Sequence, residues 1–211
     1  MNKLRFRYSK TGRAKYISHL DLTSTMQRAF LRAGFKLKYS EGFNPHPYIS
    51  VALPLSVGCE SVCELMDVGM IDGTVPDIDS IFLPDGINIL DIYIPERKFS
   101  EIAWIDIIGK LHYDVPVSNI ITENIMQRFS EKSIIISKKT KRGLNELDIA
   151  PYIKDFEVLN NDNVYIKMKT SAQNPSINKT DIESVLENGS KPEFIDIKRI
   201  GIYDSDMLLF K

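Results

Sequence analysis

The stretch SHLDLTSTMQRAFLRAGF, residues 18–35, reads as one capped amphipathic helix, and that reading decides how the chain on either side is arranged. Ser18 is a natural N-cap, and Asp21 follows three residues on, a capping box with Asp where Glu is usual. Leu22, Met26, Ala29, Phe30 and Ala33 recur at helical spacing, which predicts one buried stripe. Gly34 predicts the stop. Asp21, Thr25, Arg28 and Arg32 fall on a separate polar stripe, so two arginines share one exposed helical face.

Upstream, LRFRYS (4–9) alternates Leu4, Phe6 and Tyr8 with Arg5 and Arg7, the pattern of a half-buried strand. Downstream come KLKYS, a proline-rich loop, and then ISVALPLSVG and ESVCELMDVGM, two apolar runs that predict a hairpin turning near Ser56 to Gly58. A short helix from Pro76 to Phe82 and a strand from Gly86 complete the order strand, helix, strand, strand, helix, strand. That order predicts an α+β fold of the ferredoxin-like (βαββαβ) kind, with two helices on one face of an antiparallel sheet. The remainder runs through the same order again. Ile105 to Val117 reads as a strand, Ser118 to Phe129 as a helix and Ser133 to Lys138 as a strand. Lys154 to Leu159 and Val164 to Thr170 form a hairpin turning on Asn160 to Asn163, Ile177 to Glu187 is a helix closed by Asn188-Gly189, and Glu193 to Tyr203 is the last strand. The expectation is two tandem ferredoxin-like halves, 1–97 and 98–211, meeting in PERKFSE (95–101).

The 211 residues carry a net charge of −1 that hides an asymmetry. Residues 1–47 hold ten Lys or Arg against two acidic residues, a net of +8, which leaves 17 basic and 26 acidic groups, or −9, in the rest. The basic block is interleaved with Phe6, Tyr8, Tyr16, Tyr39 and Phe43, and aromatic faces beside cations are what single-stranded nucleic acid binding uses. No run approaches a membrane span, and the positive start is followed by no apolar run, so a cytoplasmic protein is expected.

The loop YSEGFNPHPYIS (39–50) is the strongest site candidate. Asn44-Pro45-His46-Pro47 has a nearly predetermined extended path, because each proline fixes its own φ and restricts its predecessor. Gly42 permits close backbone approach, Phe43 offers an aromatic face, Asn44 offers polar contacts, and ordering is largely prepaid. Beside Arg5, Arg7, Arg28, Arg32 and Lys38, this loop predicts a nucleic-acid recognition edge formed with Tyr39, Phe43, Asn44 and His46. His19 and His46 both lie in the basic block. With Tyr39, Tyr16, Ser40, Asp21 and Glu41 they could supply acid–base cleavage of a phosphodiester, which makes His19, His46 and Tyr39 the catalytic candidates. His112 reads as structural. A second basic cluster, KKTKR (138–142), reads as an exposed hairpin tip that could extend an anion-binding surface.

Cys59 and Cys63 do not form a metal site: a radical SAM cluster needs three thiolates, and Met66 stands where the third would be. Their alternation on one strand face reads as core packing. No metal ligand set, P-loop or dinucleotide fingerprint is present.

YISHLD (16–21), the Arg28 to Ala33 repeat RAFLRA, SEGFNPHP (40–47) and PLSVG (54–58) together resemble the radical-SAM-associated (radical-SAM-linked) domain family of unknown function. Its members occur alone or fused to the C-terminus of B12-binding-type radical SAM proteins, and the resemblance covers essentially the whole chain. It implies a radical SAM partner that carries the iron–sulfur cluster and S-adenosylmethionine, with no cofactor on this chain. Family members are often encoded near ribonuclease and ribosomal-protein genes, which leans the substrate toward RNA. The expected function is an accessory protein that binds RNA and presents it to a radical SAM modification enzyme. The alternatives are a metal-independent endoribonuclease using His19 or His46, and a protein-docking module with no nucleic acid.

Overall fold

A computed structural model describes residues 2–72, 77–114, 118–140, 143–160, 163–186 and 191–211. They form an α+β fold, mostly antiparallel sheet, with three α-helices among the described residues. The chain divides into two compact units, Met1–Glu101 with Lys211, and Ile102–Phe210. The sequence placed this division after Arg97, whereas it falls at the far end of the 95–101 stretch.

The first unit contains β1 (Asn2–Lys10), α1 (His19–Arg32), β2 (Ile49–Val51), β3 (Glu60–Met70) and β4 (Ile87–Tyr93). Its strand order is β4-β1-β3-β2, every pairing antiparallel. The helix starts where its cap dictates: Ser18 Oγ accepts from the Asp21 backbone N–H at 3.2 Å and donates to Asp21 Oδ2 at 2.7 Å. Gly34, at φ +83°, takes the left-handed conformation that ends it. Leu22, Met26, Ala29 and Phe30 share one core with Leu4, Phe6 and Tyr8 of β1. In that core the Phe30 ring lies 4.5 Å from Phe6 and 5.3 Å from Phe35.

Arg5 points away from this core, as the alternation requires, but not into solvent. It is 0% exposed. Its Nε and Nη2 donate to the two carboxylate oxygens of Asp67 at 2.7 and 3.0 Å, and Nη2 and Nη1 donate to the carbonyls of Arg97 (2.8 Å) and Lys211 (3.3 Å). The Phe99 ring lies 4.4 Å from its guanidinium carbon. Sheet register explains the pairing, because Arg5 and Asp67 are directly opposite on β1 and β3. Lys10 is also interior, its Nζ donating to the Ile17 carbonyl at 2.6 Å, and burial pulls its ammonium below the ordinary lysine value.

The helix expected over Pro76 to Phe82 is, within the described residues, one 3-10 turn, Ile78–Ser80, held by the Asp77 side chain on the Asp79 N–H. Only Ile81 in this stretch reaches the core. One apolar anchor is too little to offset helix nucleation. Gly86 at φ +87° meets the turn after β1: Thr11 N–H donates to its carbonyl at 2.8 Å, and a Cβ at Gly86 would lie 2.3 Å from the Thr11 oxygen.

The second unit contains β5 (Trp104–His112), α2 (Asn119–Phe129), β6 (Ile135–Thr140), β7 (Gly143–Asp148), β8 (Ile153–Asn160), β9 (Val164–Ser171), α3 (Lys179–Leu186) and β10 (Phe194–Tyr203). Its strand order is β10-β5-β9-β8, again antiparallel. The β6–β7 pair forms a separate two-stranded sheet, and β7 went unassigned in the sequence because GLNELD has neither β-branched residues nor alternation. Pro76, Val115 to Val117, Lys141, Arg142, Asn161, Asp162 and Glu187 to Gly189, which figure in the expected elements, lie outside the described residues.

Asp148 ties β7 into this unit. Its carboxylate accepts from the backbone N–H groups of Ile134 (2.8 Å) and Ala150 (3.0 Å), and these bonds hold its carboxyl below the ordinary value of 3.8. Because the folded value is the lower one, the stabilisation is complete above 3.8 and is lost as pH falls through the folded value. In acid-unfolding curves Asp148→Asn is expected to be less stable than wild type at neutral pH and to lose less on acidification. Parallel curves for the two proteins would contradict this.

Candidate nucleic-acid interface

The proline-bracketed loop is an extrusion from an edge strand. Lys36 to Lys38 pair with the end of β3, through Ile71 N–H to the Lys36 carbonyl (2.9 Å) and Lys38 N–H to the Gly69 carbonyl (2.8 Å). The chain then leaves the sheet, and returns where Gly69 N–H donates to the Tyr48 carbonyl at 2.7 Å before β2 continues along Val68 to Met66. Tyr39 and Pro47 form the base of this extruded hairpin. Ser40 N–H donates to the His46 carbonyl at 2.8 Å, and His46 N–H donates to Ser40 Oγ at 2.9 Å. Gly42, at φ +124°, lets the tip reverse.

The two prolines suit this geometry, since a segment outside the ladder needs no N–H from either. The tip carries Phe43 at 107% exposure, with Asn44 and His46 exposed beside it. Burying such a ring contributes about 1.5–3 kcal/mol, which the free molecule does without. Tyr39 and Tyr48 are each over a third exposed at the base.

The ten cations of the basic block do not form one surface. Arg5 and Lys10 are interior, Lys3 lies 3.5 Å from Asp67, and Lys36 pairs with Asp72 at 3.0 Å. Arg5 is therefore withdrawn as a phosphate ligand: its guanidinium is consumed by Asp67. Arg7 is half-buried and lies opposite Asp91 in the sheet register. Arg28, Arg32 and Lys38 are exposed and make no ion pair among the described residues; Arg32 Nη2 reaches the Phe82 carbonyl at 3.5 Å. Lys138 of the second basic cluster is likewise committed, donating to Asp181 Oδ2 (2.7 Å) and the Ser176 carbonyl (2.6 Å) at the start of α3.

His19 opens α1, whereas the edge strand that carries His46 begins just beyond the helix's other end. The 14-residue helix that lies between them in the chain spans roughly 21 Å. Tyr39 and His46 do share the hairpin. His112 stacks on Phe194 with centroids 4.0 Å apart, and its Nε2 lies 3.2 Å from Asp196 Oδ2, which fixes it to β10.

Residues 3–185 match the family described as an uncharacterized protein conserved in bacteria (DUF2344). The chain belongs to this family. No curated protein matches this DUF2344 chain. Among solved structures it is similar to a chain of the "Crystal Structure of a Cbf5-Nop10-Gar1 Complex", at TM-score 0.49 and 12% identity. The match covers 92% of this chain and 48% of that one, so the DUF2344 chain spans about half the length of that relative.

No group of three or more His, Cys, Asp or Glu is placed to hold a metal ion among the described residues, and none of their helices is long and apolar enough to cross a membrane. Cys59 is buried and Cys63 half-buried, and neither is in a disulfide among the described residues. Sequence reasoning missed the split of the edge strand around the hairpin. The signal was there, in that KLK and ISV are both too short to stand as separate strands.

Proposed function

We propose that this protein is an RNA-binding accessory module built of two ferredoxin-like halves, which presents RNA to a radical SAM modification enzyme. Strand orders β4-β1-β3-β2 and β10-β5-β9-β8, each with its first helix between the first and second strands of the set, support the ferredoxin-like reading. The observation that carries the binding reading is the extruded hairpin, whose tip exposes Phe43 completely while Lys38 at its base and Arg28 and Arg32 on α1 are exposed and make no ion pair among the described residues. Lys38, Arg28 and Arg32 engage phosphates, and Phe43, Tyr39, Asn44 and His46 meet bases. The partner, which the sequence resemblance implies, supplies the iron–sulfur cluster, S-adenosylmethionine and the chemistry.

Fluorescence anisotropy with a single-stranded RNA, titrated with salt, tests the binding. Each phosphate contact contributes a slope of about −0.7 in log affinity against log salt, so the Arg28→Ala/Arg32→Ala double variant should lose about 1.4 of slope and roughly 25-fold in affinity at 0.1 M salt. Absence of binding at low salt, or a double variant indistinguishable from wild type, would overturn the reading. Nuclease-insensitive co-purification with a radical SAM protein, in a chain that binds no RNA, would favour the protein-docking alternative.

A further inference from the structure

The interface described so far uses only one end of α1. At its other end the chain builds a second exposed aromatic position. The 3-10 turn Gly12–Tyr16 is pinned from three sides: Gly12 N–H donates to Glu60 Oε1 (2.9 Å), Gly58 N–H to the Lys15 carbonyl (2.8 Å), and Lys10 Nζ to the Ile17 carbonyl (2.6 Å). These bonds bring the YISHLD and PLSVG stretches together. They also hold Tyr16 outward at 65% exposure, with Lys15 Nζ 5.4 Å from its ring centroid. Arg13 is exposed next to it. Between this turn and the hairpin, Leu20, Ser24, Arg28 and Arg32 recur every fourth residue along α1, and all four are exposed. The only acidic side chain on the helix, Asp21, accepts the Ser18 hydroxyl at 2.7 Å in the cap.

We infer that the RNA path continues along the outer face of α1 to a second stacking position at Tyr16, so that the ligand is a single-stranded segment long enough to reach both ends of the helix. This rests on the RNA-binding reading above. Tyr16, with Lys15 beside its ring, and the exposed Phe43 of the hairpin stand before and after a helix face whose Arg28 and Arg32 make no ion pair among the described residues. Single-strand tracking uses these same parts: rings for base faces, guanidinium groups for the phosphates between them. A duplex keeps its base faces stacked internally and offers neither ring a partner. The 14-residue helix spans roughly 21 Å, or about six nucleotides at 3.4 Å per strand step.

Anisotropy with the full chain at low salt, using oligouridylates of four and twelve nucleotides and a twelve-base-pair RNA duplex, tests the path. The twelve-mer should bind well above the four-mer, because its second contact is intramolecular. Tyr16→Ala and Phe43→Ala should each weaken the twelve-mer by about tenfold or more, while Tyr16→Phe, which keeps the ring, should match wild type. The four-mer, able to occupy one position at a time, should change at most about twofold with either alanine variant. If Phe43→Ala weakens the twelve-mer and Tyr16→Ala does not, the hairpin interface stands and the α1 path is refuted. If the duplex binds as tightly as the twelve-mer, the single-strand assignment fails. If wild type binds no oligonucleotide, the RNA-binding reading fails with it.

Discussion

Replacing Asp67 by alanine is expected to destabilise the protein by about 3–5 kcal/mol, because it strands the Arg5 guanidinium in the interior without its counter-charge. Arg5 is 0% exposed and Asp67 5%, and the two make a bidentate pair that neither backbone carbonyl on Arg5 can replace. The loss is a large part of the 5–15 kcal/mol that typically separates folded from unfolded states. The pair itself need not be strongly stabilising. Arg5→Met with Asp67→Leu removes both charges and should recover most of what either single change loses, a coupling that a double-mutant cycle in urea measures directly. A single Asp67→Ala variant within 1 kcal/mol of wild type would show that the site stays hydrated and that Arg5 is available to a ligand after all.

Phe30→Ala is expected to cost about 3–5 kcal/mol as well, by a different route. The ring is 0% exposed and packs against Phe6 and Phe35, so truncation leaves a cavity among rigid rings that cannot collapse into it. Its neighbour Leu31, 45% exposed, should tolerate alanine to within about 0.5 kcal/mol. Phe43→Ala should be equally silent in urea unfolding, since that ring touches no core. An aromatic that leaves stability unchanged but alters RNA binding separates recognition from folding in one pair of measurements. If Phe43→Ala unfolds the protein, the hairpin tip is part of the core and the interface is misplaced.

The local features of the first unit were legible because they follow from short-range physics. Ser18, Asp21 and Gly34 bound α1 through capping and left-handed backbone, and the Leu22, Met26, Ala29 and Phe30 stripe needs only helical periodicity. The hairpin's stiffness was legible too, from proline alone. The weak elements were not. The short helix before β4 shrank to a 3-10 turn, and β7 appeared in a segment without strand composition, because each depends on what the neighbouring chain can bury or pair.

The charged residues mark the same limit. Alternation along β1 correctly separated Arg5 from the Leu4, Phe6 and Tyr8 face, yet nothing local says whether the opposite face of a strand meets water or Asp67, sixty-two residues away. The hairpin's placement is likewise a matter of register, since Lys38 and Tyr48 meet at Gly69 only once β3 is in position. The capped helix, the alternating strands, the stiff loop and the excess of cations in the first 47 residues are all readable along the chain, because periodicity, capping and proline geometry act over a few residues. Which of those cations face solvent emerges from the folded arrangement, because burial and ion pairing are set by partners distant in the chain.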